Sequence, residues 1–393
     1  MNTLKLVKTK SLIDGTGGPA FPGGQILVKN GLVEDAGPAE KFRHLPADIE
    51  VIDLSTHHVM PGLVNAHTHL TLVPGLGNQP AQKRLPPAYN VLRSTPNILK
   101  DIKSGVTTMR IMGEEAGIDV DFKNAINQGL IHGPRLIVST MGMAASHSHG
   151  VGTRPSDGVH EMRKHVRQNL ALGADFIKLF ATGGVSSVGK ALHSCPFTKA
   201  EIAVAVEEAE RHGTYVAAHA HGGTGLDYCI EQGVRTIEHG AFINEAQLEQ
   251  IIKRDLWIVG TLSILFHPTG IEQSDFSVPL IKQKVMQARE AAAVNFARVI
   301  KSGCNLASGT DAMHGLMAYE MQKLVEFGAS PMQAILTGTK HAARACRIED
   351  KAGTLEPGKF ADFIALEGDP LADILNMFRV DRVYKEGRLF QGI

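Results

Sequence analysis

Two histidines one residue apart close an apolar run, Val59-Met60-Pro61-Gly62-Leu63-Val64-Asn65-Ala66-His67-Thr68-His69. Side chains of a strand alternate faces, so His67 and His69 point the same way and Thr68 points the other. Two imidazoles on one side of a strand end can share a metal ion, and imidazole suits zinc, iron, nickel or copper. More polar residues of this kind stand at the ends of later apolar runs. Lys178 lies inside Phe176-Ile177-Lys178-Leu179-Phe180, and His219 and His221 follow Tyr215–Ala218. His239 follows Glu238 in Thr236–His239, and Asp311 closes Ser308-Gly309-Thr310-Asp311. An uncompensated buried ammonium is costly. A lysine amid four apolar residues therefore snorkels, pairs with a carboxylate, or serves a chemistry that needs its nitrogen.

The elements that must position these groups alternate along the middle of the chain. Eight short apolar runs read as strands: Leu63–His67, Val106–Ile111, Leu136–Thr140, Phe176–Phe180, Tyr215–Ala218, Thr236–His239, Trp257–Leu262 and Leu306–Gly309. Helical patterns lie between them. Thr198-Lys-Ala-Glu201 is a capping box, Ser330-Pro331 an N-cap followed by proline, and Val159–Gly173 and Lys282–Gly303 are periodic stretches ending in glycine. Strand–helix alternation of this kind predicts a (β/α)8 TIM barrel over residues 61–345, with catalytic groups at the C-terminal strand ends. Val73–Asn97 and Ser263–Pro279 are too long for simple connections; they follow the first and seventh strands and are expected to form a lid or pocket wall. Residues 1–60 and 346–393 carry short strands with turn signals at Asn30-Gly31 and Glu386-Gly387. They predict one small β-sandwich domain built from both termini.

The order His-x-His, Lys, His, His, Asp over eight strands resembles the amidohydrolase superfamily of metal-dependent hydrolases. Met60-Pro61-Gly62 and Gly353-Thr-Leu-Glu-Pro-Gly-Lys-Phe-Ala-Asp362 add to the resemblance, which covers nearly the whole chain. Phe176-Ile177-Lys178 with Ala181-Thr182-Gly183-Gly184-Val185, and Thr236-Ile237-Glu238-His239-Gly240, look like the Xaa-Pro dipeptidase (prolidase) and carboxypeptidase-like branch. The resemblance implies two divalent metal ions, with zinc as first candidate. It places His67, His69 and Asp311 on one ion and His219 and His239 on the other. Lys178, carboxylated by carbon dioxide, would bridge them. It further implies attack by a metal-activated hydroxide, with Asp311 as the proton acceptor and donor. Weaker candidates for substrate contact are His149 in Ser146-His147-Ser148-His149-Gly150, Arg154, His221 and Tyr228.

The expected function is hydrolysis of an amide bond in a dipeptide or N-acyl amino acid. A second reading keeps the site and changes the substrate to a cyclic amide, urea, carbamate or ester, as in imidazolonepropionases and xenobiotic amidases. A non-catalytic scaffold is disfavoured because every ligand position is filled. The chain has 393 residues, with 40 Lys+Arg against 40 Asp+Glu, so charge gives no case for nucleic acid or an anionic membrane as partner. Eighteen histidines are many for this length. Cys195, Cys229, Cys304 and Cys346 are widely spaced, which fits a reducing compartment. With no signal-like or spanning apolar run, the expectation is a cytoplasmic enzyme of small molecules, assembled as a homo-oligomer.

Overall fold

The computed structural model describes residues 4–46, 48–188 and 191–391. The backbone forms two compact units, one of Met1–Asn65, Leu99–Thr108 and Gly315–Ile393 and one of Ala66–Ile98 and Met109–His314. In the first unit the two ends of the chain share one eight-stranded sheet. Its order is Arg388–Leu389, Val380–Lys385, Phe363–Leu366, Glu50–Pro61, Leu4–Leu12, Gln25–Lys29 and Leu32–Gly37, with Phe21–Pro22 paired beside Leu4–Leu12. These strands join edge to edge in one hydrogen-bonded path. The reason is the 12-residue strand Glu50–Pro61. It is long enough to pair in parallel with Leu4–Leu12 and antiparallel with Phe363–Leu366.

Both turn signals close two-residue hairpins. Lys29 faces Leu32 across Asn30-Gly31, and Lys385 faces Arg388 across Glu386-Gly387. All four loop residues have positive φ (53°, 85°, 51° and 67°), the backbone that matches the right-handed strand twist. Glycine takes the second position in each because it pays no steric cost there. One core cluster of this sheet includes Val7, Ile26, Leu54, Val59, Phe363 and Tyr384.

The eight apolar runs become Leu63–Thr68, Val106–Ile111, Arg135–Val138, Ile177–Phe180, Val216–Ala220, Thr236–His239, Trp257–Gly260 and Asn305–Ser308. The first three make a three-stranded sheet and the other five a five-stranded one. The five pair in parallel throughout. Parallel neighbours need crossover connections, and helices supply them, as in an α/β fold. The helix Lys199–Arg211 opens at the capping box of Thr198 and Glu201, and Pro331–Thr337 opens at that of Ser330 and Gln333. Among the described residues, no helix is long and apolar enough to cross a membrane.

The two long connections carry helices of their own. Val73–Asn97 holds Pro74–Leu76, Gln79–Lys83 and the start of Pro87–Lys103, while Leu262–Phe266 and Ile271–Asp275 lie in or beside Ser263–Pro279. They pack together. Asn78 N–H donates to Asp275 Oδ1 (3.2 Å) and Ser274 Oγ donates to the Pro74 carbonyl (3.2 Å). Gly77 permits this approach: its φ is 68°, and a Cβ there would lie 2.7 Å from Asp275 Oδ1.

The Thr198 cap gives a stability prediction. Thr198→Ala should cost about 1 kcal/mol and lower the thermal midpoint, with Thr198→Ser recovering most of the loss. Equal midpoints for wild type and Thr198→Ala would show that the cap contributes nothing.

Candidate metal centre and its cavity

His67 lies in the strand Leu63–Thr68 and His69 just past its end. Their Nε2 atoms lie 3.4 and 3.5 Å from one oxygen, Asp311 Oδ1. Each ring is held from behind: His67 Nδ1 meets Glu238 Oε2 at 2.7 Å, and His69 Nδ1 meets the Gly113 carbonyl at 3.1 Å. An acceptor on Nδ1 fixes the proton there and leaves the Nε2 lone pair for a metal. His239 follows the same rule, with Nδ1 on Thr261 Oγ1 at 2.7 Å. His219 reverses it: Nε2 meets the Gly183 carbonyl at 3.0 Å, so Nδ1 is its available nitrogen. Its ring centroid is 4.6 Å from that of His239. Burial pushes the pKa values of His69, His219 and His239 well below the usual histidine range, so these rings are neutral donors. Donor atoms of His67, His239 and Asp311 lie within 4.8 Å of one another, a set that can hold an ion.

Lys178 is fully buried, and its Nζ has no hydrogen-bond partner among the described residues. Burial brings its pKa down to about 7, against the opposing pull of Glu238 and Asp311. The centre is also backbone-strained. His239, Asp311 and Ala312 take positive φ (72°, 48° and 66°), which non-glycine residues seldom adopt. Such strain collects at functional sites. Gly309 makes room, since a Cβ on it would lie 2.4 Å from both His67 Cβ and His67 N.

Behind the histidines lies a buried ion pair that sequence reading did not assign. Arg110 and Glu238 are both 0% exposed. Arg110 Nη2 donates to Glu238 Oε1 (2.8 Å), its Nη1 to Thr236 Oγ1 (3.1 Å) and its Nε to the Ala66 carbonyl (2.6 Å). Burial raises the Glu238 carboxyl, but Arg110 and the His67 hydrogen bond outweigh it and hold the pKa at about 2. The signal was present in the sequence: Arg110 interrupts an apolar run just as Lys178 does. Glu114 is a second omission. Its carboxylate accepts Leu70 N–H (2.5 Å) and the Thr71 hydroxyl (2.7 Å), which fixes the turn directly after His69.

A cavity of ≈ 510 Å³ opens onto these groups and is lined by His67, His69, Lys178, His219, His239 and Asp311. His149 and His221 line it as well. Both are neutral, since burial pushes their pKa values down to about 3 and about 4. His149 Nδ1 meets Ser187 Oγ at 2.5 Å. Arg154 and Tyr228 are not among the lining residues. The Arg154 guanidinium is spent on Gln168 Oε1 (2.9 Å) and Asn169 Oδ1 (2.6 Å). Tyr228 sits on the helix Gly223–Glu231. Lys83 and Arg84, which sequence reading passed over, do line the cavity.

The ion pair gives a second prediction. Arg110→Met leaves Glu238 as a buried, uncompensated charge and should cost about 3–5 kcal/mol. Adding Glu238→Gln should recover part of it, read as the denaturant midpoint. No loss in the single variant would remove Arg110 as the compensating charge.

Comparison with known proteins agrees with this geometry. The amidohydrolase family pattern matches residues 58–390. The chain is 30% identical over 385 residues to an ochratoxinase of Aspergillus niger, covering 86% of this chain and 77% of that protein. It is 24% identical over 433 residues to an imidazolonepropionase of Symbiobacterium thermophilum, covering 98% and 96%. The crystal structure of a Xaa-Pro dipeptidase with bound methionine in the active site superposes with a TM-score of 0.91 at 30% identity, covering 99% of this chain and 100% of that one. The chain belongs to the amidohydrolase family and is a hydrolase acting on C–N bonds.

Proposed function

We propose that this enzyme is a binuclear metal hydrolase that cleaves the amide bond of a dipeptide or N-acyl amino acid. One observation carries the metal reading: the buried Lys178 nitrogen, with no hydrogen-bond partner, opens on the same cavity as four histidines and Asp311. Carboxylation of that nitrogen replaces a costly buried ammonium by an anionic oxygen ligand. His67, His69 and Asp311 would hold one ion and His219 and His239 the other, with carboxylated Lys178 between them and zinc as our first choice. Bound there, two dications supply Lewis-acid polarisation of a carbonyl and a water acidic enough to react near neutral pH.

The rest falls to the chain's own groups. The Asp311 carboxylate, held well below the usual carboxylate range by the His67 hydrogen bond despite its burial, takes the proton and passes it to the leaving nitrogen. His149 and His221, neutral and in the cavity wall, offer hydrogen bonds to the substrate carbonyl. Arg154 and Tyr228 have no part in this, because neither lines the cavity.

The scaffold we propose is a closed barrel of residues 61–345 and a sandwich-like domain of 1–60 and 346–393. Two links between the sheets support closure: Thr310 and Asp311 N–H donate to the His67 carbonyl (2.8 and 2.9 Å), and Met143 bridges to Leu179 in parallel. Four free cysteines fit a cytoplasmic setting, and we keep the homo-oligomer within the proposal. The structural likeness to a Xaa-Pro dipeptidase favours the dipeptide class. A second reading, an uncharged cyclic amide, urea, carbamate or ester, is favoured by the apolar walls of Leu72, Val185, Ile264 and Ile271.

Two measurements separate these readings. Protein purified without chelator should carry two metal equivalents, and Lys178→Ala should lose metal and activity. Lys178→Arg should not recover them, because guanidinium cannot become an anionic ligand. Full metal and turnover in Lys178→Ala would remove the bridge. For the substrate, kcat/KM of an N-acyl amino acid should exceed that of its C-terminal amide. Turnover only of ureas, carbamates or cyclic amides would decide for the second reading.

A further inference from the structure

We infer that Lys83, on the short helix Gln79–Lys83 after the first histidine pair, receives the substrate's carboxylate. The inference rests on the amide-bond reading above and names the residue that gives that site its preference for acids. Outside the metal centre, the charged groups lining the cavity are Lys83, Arg84 and Asp275. Asp275 Oδ1 accepts Asn78 N–H (3.2 Å) while its buried Oδ2 has no hydrogen-bond partner among the described residues, and Arg84 is exposed. Lys83 is half-buried. Among the described residues its Nζ makes no ion pair and no hydrogen bond, and it lies over the Phe180 ring, 5.2 Å from the centroid. An ammonium above an aromatic wall, with no anion of its own, is a vacant charge partner.

The distance to the centre suits one amino-acid residue. Lys178 Nζ lies 5.0 Å from the same Phe180 centroid, so the two nitrogens are no more than 10.2 Å apart, the sum of those two lengths. A residue beyond the scissile carbonyl adds about 3.8 Å of chain, and a charge-assisted hydrogen bond adds about 2.8 Å. A separation within this bound is compatible with a terminal carboxylate on Lys83 and a scissile bond beside Lys178.

Lys83 is also held in place before any substrate arrives. Its neighbour Gln82, 6% exposed, donates to the carbonyls of Gly77 (2.6 Å) and Val73 (3.1 Å) and accepts Val73 N–H (2.9 Å). Arg93 Nη2 donates to the Gln82 carbonyl (3.2 Å). These bonds fix the backbone from which the Lys83 stem projects, so binding has only the side chain left to order.

The test uses the metal-loaded full chain and three variants: Lys83→Met, which keeps the apolar stem, Lys83→Arg, and Arg84→Met. For each, kcat/KM is measured on an N-acyl amino acid and its C-terminal amide, and binding of the released amino acid is measured by calorimetry. Lys83→Met should cut the acid-to-amide ratio by about tenfold to a hundredfold, mainly through KM, and weaken amino-acid binding by a similar factor. Lys83→Arg should keep most of the ratio. A wild type that prefers the acid while Lys83→Met keeps that preference would overturn the assignment and leave the proposed function standing. Collapse of the ratio in Arg84→Met alone, or loss of metal in Lys83→Met, would overturn it equally. Equal wild-type rates on acid and amide would instead remove the substrate reading itself.

Discussion

The candidate metal centre depends on one carboxylate that is fully buried. Glu238 accepts Arg110 on one oxygen and His67 on the other, so the second, sixth and first strands meet at a single group. The desolvation cost of such a charge is several kcal/mol, and only a close cation with further hydrogen bonds offsets it. Arg110 provides both, and it also donates to the Thr236 hydroxyl and the Ala66 carbonyl. The His67 tautomer follows from this arrangement, and the direction of its Nε2 follows from the tautomer. Asp311 then lies in reach because Thr310 and Asp311 N–H bind the His67 carbonyl.

The same economy holds around the other ligands. Each imidazole is turned by one oxygen behind it: a carbonyl for His69 and His219, a hydroxyl for His239. Burial keeps the rings neutral, so their lone pairs are available across the whole neutral range. Lys178 stands apart, because no described residue hydrogen-bonds its nitrogen. Positive φ at His239 and Asp311 has a similar meaning, since the packed surroundings hold conformations that an isolated chain would avoid.

The cavity divides into regions of different character. Its floor is polar and fixed by strand ends, whereas its upper walls come from the helices within the two long connections. Those connections carry Lys83 and Arg84 on one side and Ile264, Ile271 and Asp275 on the other. Loops at the C-terminal ends of parallel strands can vary without disturbing the side chains on the strands themselves.

Strand identity, the histidine pair and the anomalous lysine were legible in the sequence because they rest on local rules. A period of two puts His67 and His69 on one face, and a charge in an apolar run is conspicuous wherever it falls. The hairpins at Asn30-Gly31 and Glu386-Gly387 and the cap at Thr198 are local in the same sense. Other features depend on groups far apart in the chain, and only the tertiary structure decided them. The pairing of Arg110 with Glu238 spans 128 residues. Arg154 looked available as a free guanidinium, yet folding places it against Gln168 and Asn169. His149 was a candidate for substrate contact by its loop alone, and only folding shows that burial makes it neutral. Lys83 drew no notice in a proline-rich stretch until Gln82 fixed its helix beside Phe180. Sequence by itself determined which residues could ligate a metal, because that follows from residue type and strand period. The tertiary structure decided which charges survive burial and line the cavity, because desolvation and pairing depend on neighbours that chain order does not reveal.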